Sequence, residues 1–235
     1  MLPNRERLSS PAAIAAKQAT STIPIVFSIG ADPIGLGLVS SYSRPGTNIT
    51  GINIAPESLT GKRFELLNDL VPKSVPIAEL LNPNNKIFST SEMKVGNEAA
   101  RNLDREIVFL NASAEAEITN AFDEIAKKQV GGLIVSFEGV FVNSREQIVS
   151  LANRYKVPTV YPTRQFTELG GLLSYGPNLL VARRQVGAYV GKILNGMRPA
   201  DLPVMTPTTY DLKTAKALGL TIPQTLIVSA DEVIE

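Results

Sequence analysis

The chain has 235 residues, 44% of them hydrophobic and 19% charged, with a net charge of +1 from 23 basic and 22 acidic side chains. That length suffices for one large domain or two lobes, and the balance predicts a folded chain without a footprint for nucleic acid or anionic lipid. There is no histidine and no cysteine, which removes Ser-His-Asp and Cys-His nucleophiles, thiol redox chemistry and nearly every transition-metal site, so no cofactor is expected.

In chain order, Ser10-Pro11 followed by Ala12–Thr20 reads as a capped helix. Ile23–Phe27 is a run of β-branched and aromatic residues and predicts a buried strand. It ends in a small polar loop containing Asp32, after which Ile34–Tyr42 reads as a short helix stopped by Arg44-Pro-Gly46. Asn48–Asn53 predicts a strand and Leu59–Leu70 an amphipathic helix. Three strand–helix units and a fourth strand follow: strand Pro76–Leu81 with helix Ser91–Leu103, strand Ile107–Leu110 with helix Ala116–Lys128, strand Gly132–Val135 with helix Ser144–Tyr155, and strand Val157–Tyr161. Beyond them come a short strand within 170–177, a long helix Leu179–Leu194, an extended Pro199–Pro207, a short helix Lys213–Leu218 and a last extended piece, Thr225–Ile227. No stretch reaches the roughly 18 apolar residues of a membrane span.

Alternation at this spacing predicts an α/β chain with parallel sheets and helices on both faces. Residues 76–161 supply enough strands for a complete lobe. Residues 1–56 supply two, so the expected organisation is one lobe from 1–56 with 170–207 and a second from 57–169 with 208–235. Strand Leu172–Ser174 is then expected to share a sheet with Ile23–Phe27.

Strand after strand ends in a small polar loop: Asn82-Pro-Asn-Asn85, Asn111-Ala-Ser113, Ser136-Phe-Glu-Gly139 and Tyr161-Pro-Thr-Arg164. That is where open α/β sheets bind small molecules. Ser10, Ser28, Asp32, Asn82, Glu138, Tyr161 and Tyr175 are therefore the candidate ligand residues. Asp32 could take an ammonium, Ser10 and Ser28 an anionic group, Asn82 and Glu138 further polar groups, and Tyr161 and Tyr175 could stack on an aromatic solute. Each also has a plainer role. Asp32 and Asn82 suit turns, Ser10 a cap, Ser28 and Glu138 the ends of elements, and the two tyrosines core packing. Phe166 reads as packing near a hinge. Gly35-Leu-Gly37 lacks the third glycine and following acid of a dinucleotide site.

Ile23-Pro-Ile-Val-Phe27, Asp32-Pro33, Gly35-Leu-Gly37, Arg44-Pro-Gly46 and Asn48-Ile-Thr-Gly51 together resemble the ABC transporter substrate-binding proteins of the tryptophan/tyrosine type. So do Glu65-Leu-Leu67, Leu81-Asn-Pro83, Gly170-Gly-Leu-Leu-Ser-Tyr-Gly-Pro177, Pro199-Ala-Asp-Leu-Pro-Val204 and Leu212-Lys-Thr-Ala-Lys-Ala-Leu-Gly-Leu220. The resemblance runs from about Ser10 to the end. It implies a type I periplasmic binding protein fold with two Rossmann-like lobes joined by several crossovers and closing on a small solute, such as an aromatic amino acid. It also implies a permease with its ATPase as partners and no enzymatic activity.

The family's pattern has further βα elements and an export signal before the position of Ser10. Their absence implies an N-terminally truncated, incomplete first lobe, a chain that stays in the cytoplasm although the family is periplasmic, weak transport, and a tendency to associate through an unpaired sheet edge. Thr209-Tyr210-Asp211 also stands where the family has a longer strand. The rival readings are an enzyme using Asp32 and Glu138 as an acid–base pair, and a small-molecule sensor domain of the same fold.

Overall fold

The computed structural model describes residues 10–54, 57–177, 179–206, 212–213 and 233–234. In chain order these form α1 (Ser10–Ala19), β1 (Ile25–Ile29), β2 (Ile49–Asn53), α2 (Glu57–Leu70), β3 (Ile77–Leu81) and α3 (Lys86–Leu103). Then come β4 (Ile107–Asn111), α4 (Glu115–Lys127), β5 (Gly132–Val135), α5 (Gly139–Asn143), α6 (Arg145–Tyr155), β6 (Thr159–Tyr161) and α7 (Arg164–Glu168). The last are β7 (Leu173–Ser174), α8 (Leu179–Leu194), a 3₁₀ turn at Pro199–Asp201, β8 (Leu212–Lys213) and β9 (Val233–Ile234). The chain divides into two compact units, Met1–Pro56 with Pro177–Thr208, and Glu57–Gly176 with Thr209–Glu235.

In the first unit β1 and β2 pair in parallel, Ile25 opposite Ile49 through Ile29 opposite Asn53. The strand starts two residues later than predicted because Pro24 has no N–H to give a ladder. The preceding chain is tied down otherwise: Thr20 Oγ1 accepts from the Ile23 amide at 3.0 Å, and Asn48 Nδ2 donates to the Ile23 carbonyl at 2.7 Å. The far side of β2 is bridged by Met205, whose N–H donates to the Gly51 carbonyl at 3.0 Å and whose carbonyl accepts from the Asn53 amide at 2.8 Å. The core is small: Ala13, Phe27, Ile29, Leu38, Val39, Ile49 and Val204.

The helix expected at Ile34–Tyr42 is a set of turns. Gly37 sits at φ +64°, a left-handed conformation that ends a right-handed turn at once. The loop is then held by Lys17 of α1, whose ammonium donates to the carbonyls of Gly37 and Leu38.

In the second unit five parallel strands run in the order β4-β3-β5-β6-β7. Period-2 alternation sends Ala78, Leu80, Leu133 and Val135 to one face, under Ile118 and Phe122 of α4 and Ile148 of α6. Ile77, Ile134 and Val160 face the other way, toward Phe64 and Leu67 of α2. This is the doubly wound arrangement predicted for residues 76–161.

Three expectations need correction. Leu173–Ser174 pairs with β6, in the five-stranded sheet, and not with β1. α3 begins at Lys86, five residues ahead of the expected Ser91, so the Asn82–Asn85 loop is tight: Ser89 Oγ donates to the Asn82 carbonyl at 2.5 Å. The short helices α5 and α7 add to the expected elements, since five residues are too few to display a period in the sequence. The predicted pieces Lys213–Leu218 and Thr225–Ile227, and the shortened segment Thr209–Asp211, lie outside the described residues except for Lys213, which is in β8.

Candidate functional site

Parallel βα units place each strand's carboxyl end beside the next helix's start, so polar residues just after β3, β5 and β6 gather at one end of the second unit's sheet. Asn82 follows β3 directly, and its Oδ1 accepts from the Asn84 amide at 3.1 Å. That turn brings Asn85 round so that its Nδ2 donates to Glu138 Oε1 at 2.7 Å. Glu138 stands three residues beyond β5, 8% exposed, immediately before α5. Burial pushes its carboxyl up to about 7, while hydrogen bonds from Asn85 and Asn82 pull the other way. Asn82 and Glu138, chosen from sequence, are therefore brought together, with Asn85 between them.

Two further groups lie at this end, beyond the candidates that the sequence marks. Ser136, fully buried after β5, and Thr163, 2% exposed after β6, carry hydroxyl oxygens with no hydrogen-bond partner among the described residues. An orphaned buried hydroxyl is costly unless something else satisfies it. Both residues stand in the polar loops that the sequence marked, so the loops were visible while the choice of residue within them was not.

The tyrosines divide. Tyr161 is 1% exposed, and its ring stacks on Phe166 at 4.9 Å between centroids inside the core. It packs the interior and does not present a ring to a solute, which corrects its expected role; burial drives its phenol well above the usual range. Phe166 likewise packs within the unit. Tyr175 is half-buried; its N–H donates to the Tyr161 carbonyl at 3.0 Å and its carbonyl accepts from Arg63 Nε at 2.8 Å.

The remaining candidates belong to the first unit. Ser28 lies within β1, opposite Ile52, because the strand runs two residues further than predicted. Asp32 is exposed; its Oδ1 accepts from the Ile34 amide at 3.1 Å and its Oδ2 from the Gly35 amide at 2.8 Å. Its carboxylate thus builds the turn after β1, the plainer of its two expected roles. Ser10 is the first residue of α1.

Among the described residues no group of three or more acids could hold a metal ion, and no helix is long and apolar enough to cross a membrane.

Comparison with known proteins gives one consistent result. The family described as ABC transporter substrate binding protein matches residues 7–234. A curated tyrosine-binding protein of Clostridioides difficile (strain R20291) is 28% identical over 200 residues, 85% of this chain and 56% of the relative, so the chain spans little more than half that relative's length. A crystal structure of a conserved domain protein from Vibrio cholerae is similar at TM-score 0.80 and 28% identity, covering 95% of this chain and 76% of that one. The structure of an ABC domain in complex with L-Trp from Streptococcus pneumonia is similar at TM-score 0.79 and 25% identity, with the same coverages of 95% and 76%. A more distant likeness, at 14% identity and TM-score 0.54, to a LacI-family repressor of Corynebacterium glutamicum reflects the shared fold alone.

Proposed function

The chain belongs to the ABC transporter substrate-binding protein family, and on that premise we propose that it is the solute-binding component of an importer, taking an aromatic amino acid. The permease and its ATPase are the proposed partners. The observation that carries this reading is the polar cluster at the carboxyl end of the second unit's sheet: Asn82, Asn85, Ser136, Glu138 and Thr163. It combines one carboxyl, amide groups and two hydroxyls unsatisfied among the described residues, a set suited to an ammonium and a carboxylate on one small molecule. The relatives whose names state a ligand point to tyrosine and tryptophan. Tyr175, Ser28, Asp32 and Ser10 are proposed as secondary contacts. An acid–base pair of Asp32 and Glu138 finds no support, because both Asp32 oxygens are engaged by backbone amides.

Glu138 gives the reading a signature. Its carboxyl is half-protonated near neutrality, and only the ionised form pairs well with an ammonium. Affinity for L-tryptophan or L-tyrosine in titration calorimetry should therefore rise about tenfold between pH 6 and pH 8, the factor that one unit of coupled proton release carries. Glu138→Gln should bind more weakly and lose the pH dependence. Absence of heat with either amino acid at both pH values would overturn the proposal.

A further inference from the structure

The second unit buries a group of charges that the proposed solute site does not use. Glu79 stands in the middle of β3, completely buried, in register with Phe109 of β4 and Ile134 of β5. Glu92 of α3 is 2% exposed and Arg63 of α2 is 1% exposed. Thr60 of α2 donates its hydroxyl to Glu92, 2.8 and 3.0 Å from the two oxygens. Arg63 Nη1 donates to Thr60 Oγ1 at 3.4 Å, and its Nε donates to the Tyr175 carbonyl at 2.8 Å. α3 carries Gly96 where it faces Glu79: a Cβ there would lie 3.0 Å from Glu79 Oε2. The helix thus leaves room for a carboxyl group on a central strand, a position that otherwise holds an apolar side chain.

The buried position decides the protonation state. An ionised carboxylate on a central strand closed to water, with a second carboxyl group adjoining it, is strongly unfavourable. A proton on Glu79 removes that charge. The groups facing Glu79 are Glu92 from α3 and Arg63 from α2, while β4 and β5 flank it with apolar residues. Burial and the adjoining Glu92 both favour the acid form of Glu79; Arg63 opposes them less. Glu92 already receives the Thr60 hydroxyl, whereas no hydrogen bond from the described residues reaches either Glu79 oxygen. The proton therefore belongs on Glu79, where it converts repulsion between two carboxylates into an O–H···O⁻ contact.

We propose that Glu79 remains protonated at neutral pH, and that in this state Glu79 and Arg63 position the segment Tyr175–Gly176, by which the chain leaves the second unit. Arg63 is the link, since the same guanidinium that acts on Glu79 holds the Tyr175 carbonyl. Loss of the Glu79 proton draws Arg63 toward the second carboxylate and loosens that hold. The proton assignment is independent of the solute reading. Only the consequence for Tyr175 as a solute contact rests on it, and the two fail in separate measurements.

Carbon-13 NMR of glutamate carboxyls in the full chain tests the proton. One signal other than that of Glu138 should keep its acid-form shift at pH 7 and disappear in Glu79→Gln. Should that variant not fold, Glu92→Gln makes the assignment, lowering the midpoint of the signal by about one unit through the lost coupling. Every glutamate other than Glu138 ionised at pH 7, or a midpoint indifferent to Glu92→Gln, would overturn the assignment. Hydrogen exchange of the Tyr175 amide, corrected for its intrinsic pH dependence, tests the positioning. It should accelerate about tenfold in the wild type as pH passes the Glu79 midpoint by one unit, do so about one pH unit lower in Glu92→Gln, and stay level in Glu79→Gln. Equal acceleration in wild type and variants would remove the positioning role and leave the proton assignment untouched.

Discussion

The two sheets of this protein follow the same rules with different numbers of neighbours. In the second unit β3 is paired on both edges, by β4 and β5, and every residue of β3 and β5 is buried. In the first unit β2 is likewise buried throughout, with β1 on one side and Met205 on the other. β1 itself has one paired edge among the described residues, and only Phe27 and Ile29 of its five residues are buried. A parallel strand becomes interior when both its faces and both its edges are covered. The comparison separates those two requirements: α1 and α8 pack against β1, yet its burial stays incomplete where none of the described strands adjoins it.

The sharpest way to break this comparison is to open a cavity in each core. Phe122 is fully buried among nineteen core residues, whereas Phe27 is 4% exposed in a core of seven. Phe122→Ala should cost about 3–5 kcal/mol, the usual penalty for deleting a large buried ring that a rigid core cannot close over. Phe27→Ala should cost about 2–3 kcal/mol, because fewer fixed neighbours surround the gap and it collapses more easily. Urea denaturation with residue-resolved hydrogen exchange would read each unit separately. Equal costs would mean that the smaller core is as rigid as the larger one.

A second effect belongs to the larger unit alone. The folded state holds Glu138 at about 7, above the ordinary carboxyl value, so its neutral form stabilises the fold. That contribution is complete at pH values below about 4, the unfolded value, and is lost as pH rises through 7. The shift corresponds to about 3 kcal/mol at most. Glu138→Gln should therefore flatten the fall in stability between pH 5 and pH 8, measured as the urea midpoint, and be the more stable protein at the alkaline end. A wild-type profile already flat over that range would show that Glu138 is solvated. Slope that survives in Glu138→Gln but disappears in Glu79→Gln would assign the remainder to the buried pair.

Residues 76–161 were legible because strands covered on both faces become continuous apolar runs, and the helices between them keep their own period. Partner choice was less legible. Two residues, Leu173 and Ser174, say nothing local about which sheet they join, and their pairing with β6 is fixed by α7 and the tight turn at Gly170. Within the marked loops, chemistry was a poor guide to position. Tyr161 had the more suggestive side chain, but it is the last residue of β6 and packs inward, while Thr163 two residues on has the orphaned hydroxyl. Glu79 broke an otherwise apolar strand in plain sight. Its meaning depends on Glu92 and Arg63, distant in sequence and joined only by the packing of α2 and α3.

The smallest expected effect lies at the turn after β1. Asp32 offers both carboxylate oxygens to amides, at Ile34 and Gly35, and so replaces the helix that an apolar run from Ile34 would otherwise begin. The Leu36 amide then donates to the Asp32 carbonyl at 3.0 Å, and the Leu38 amide to the Pro33 carbonyl at 2.8 Å. These bonds deliver Leu38 and Val39 into the small core. Asp32→Asn keeps one acceptor and should be nearly neutral. Asp32→Ala removes both and should cost about 1 kcal/mol, the net worth of a hydrogen bond at an exposed turn. The loss should register in hydrogen exchange at Gly35 and in β1 while leaving β3 and β5 unchanged. If Asp32→Ala instead left stability intact but abolished amino-acid binding in calorimetry, the carboxylate would be a solute contact first and a turn former second.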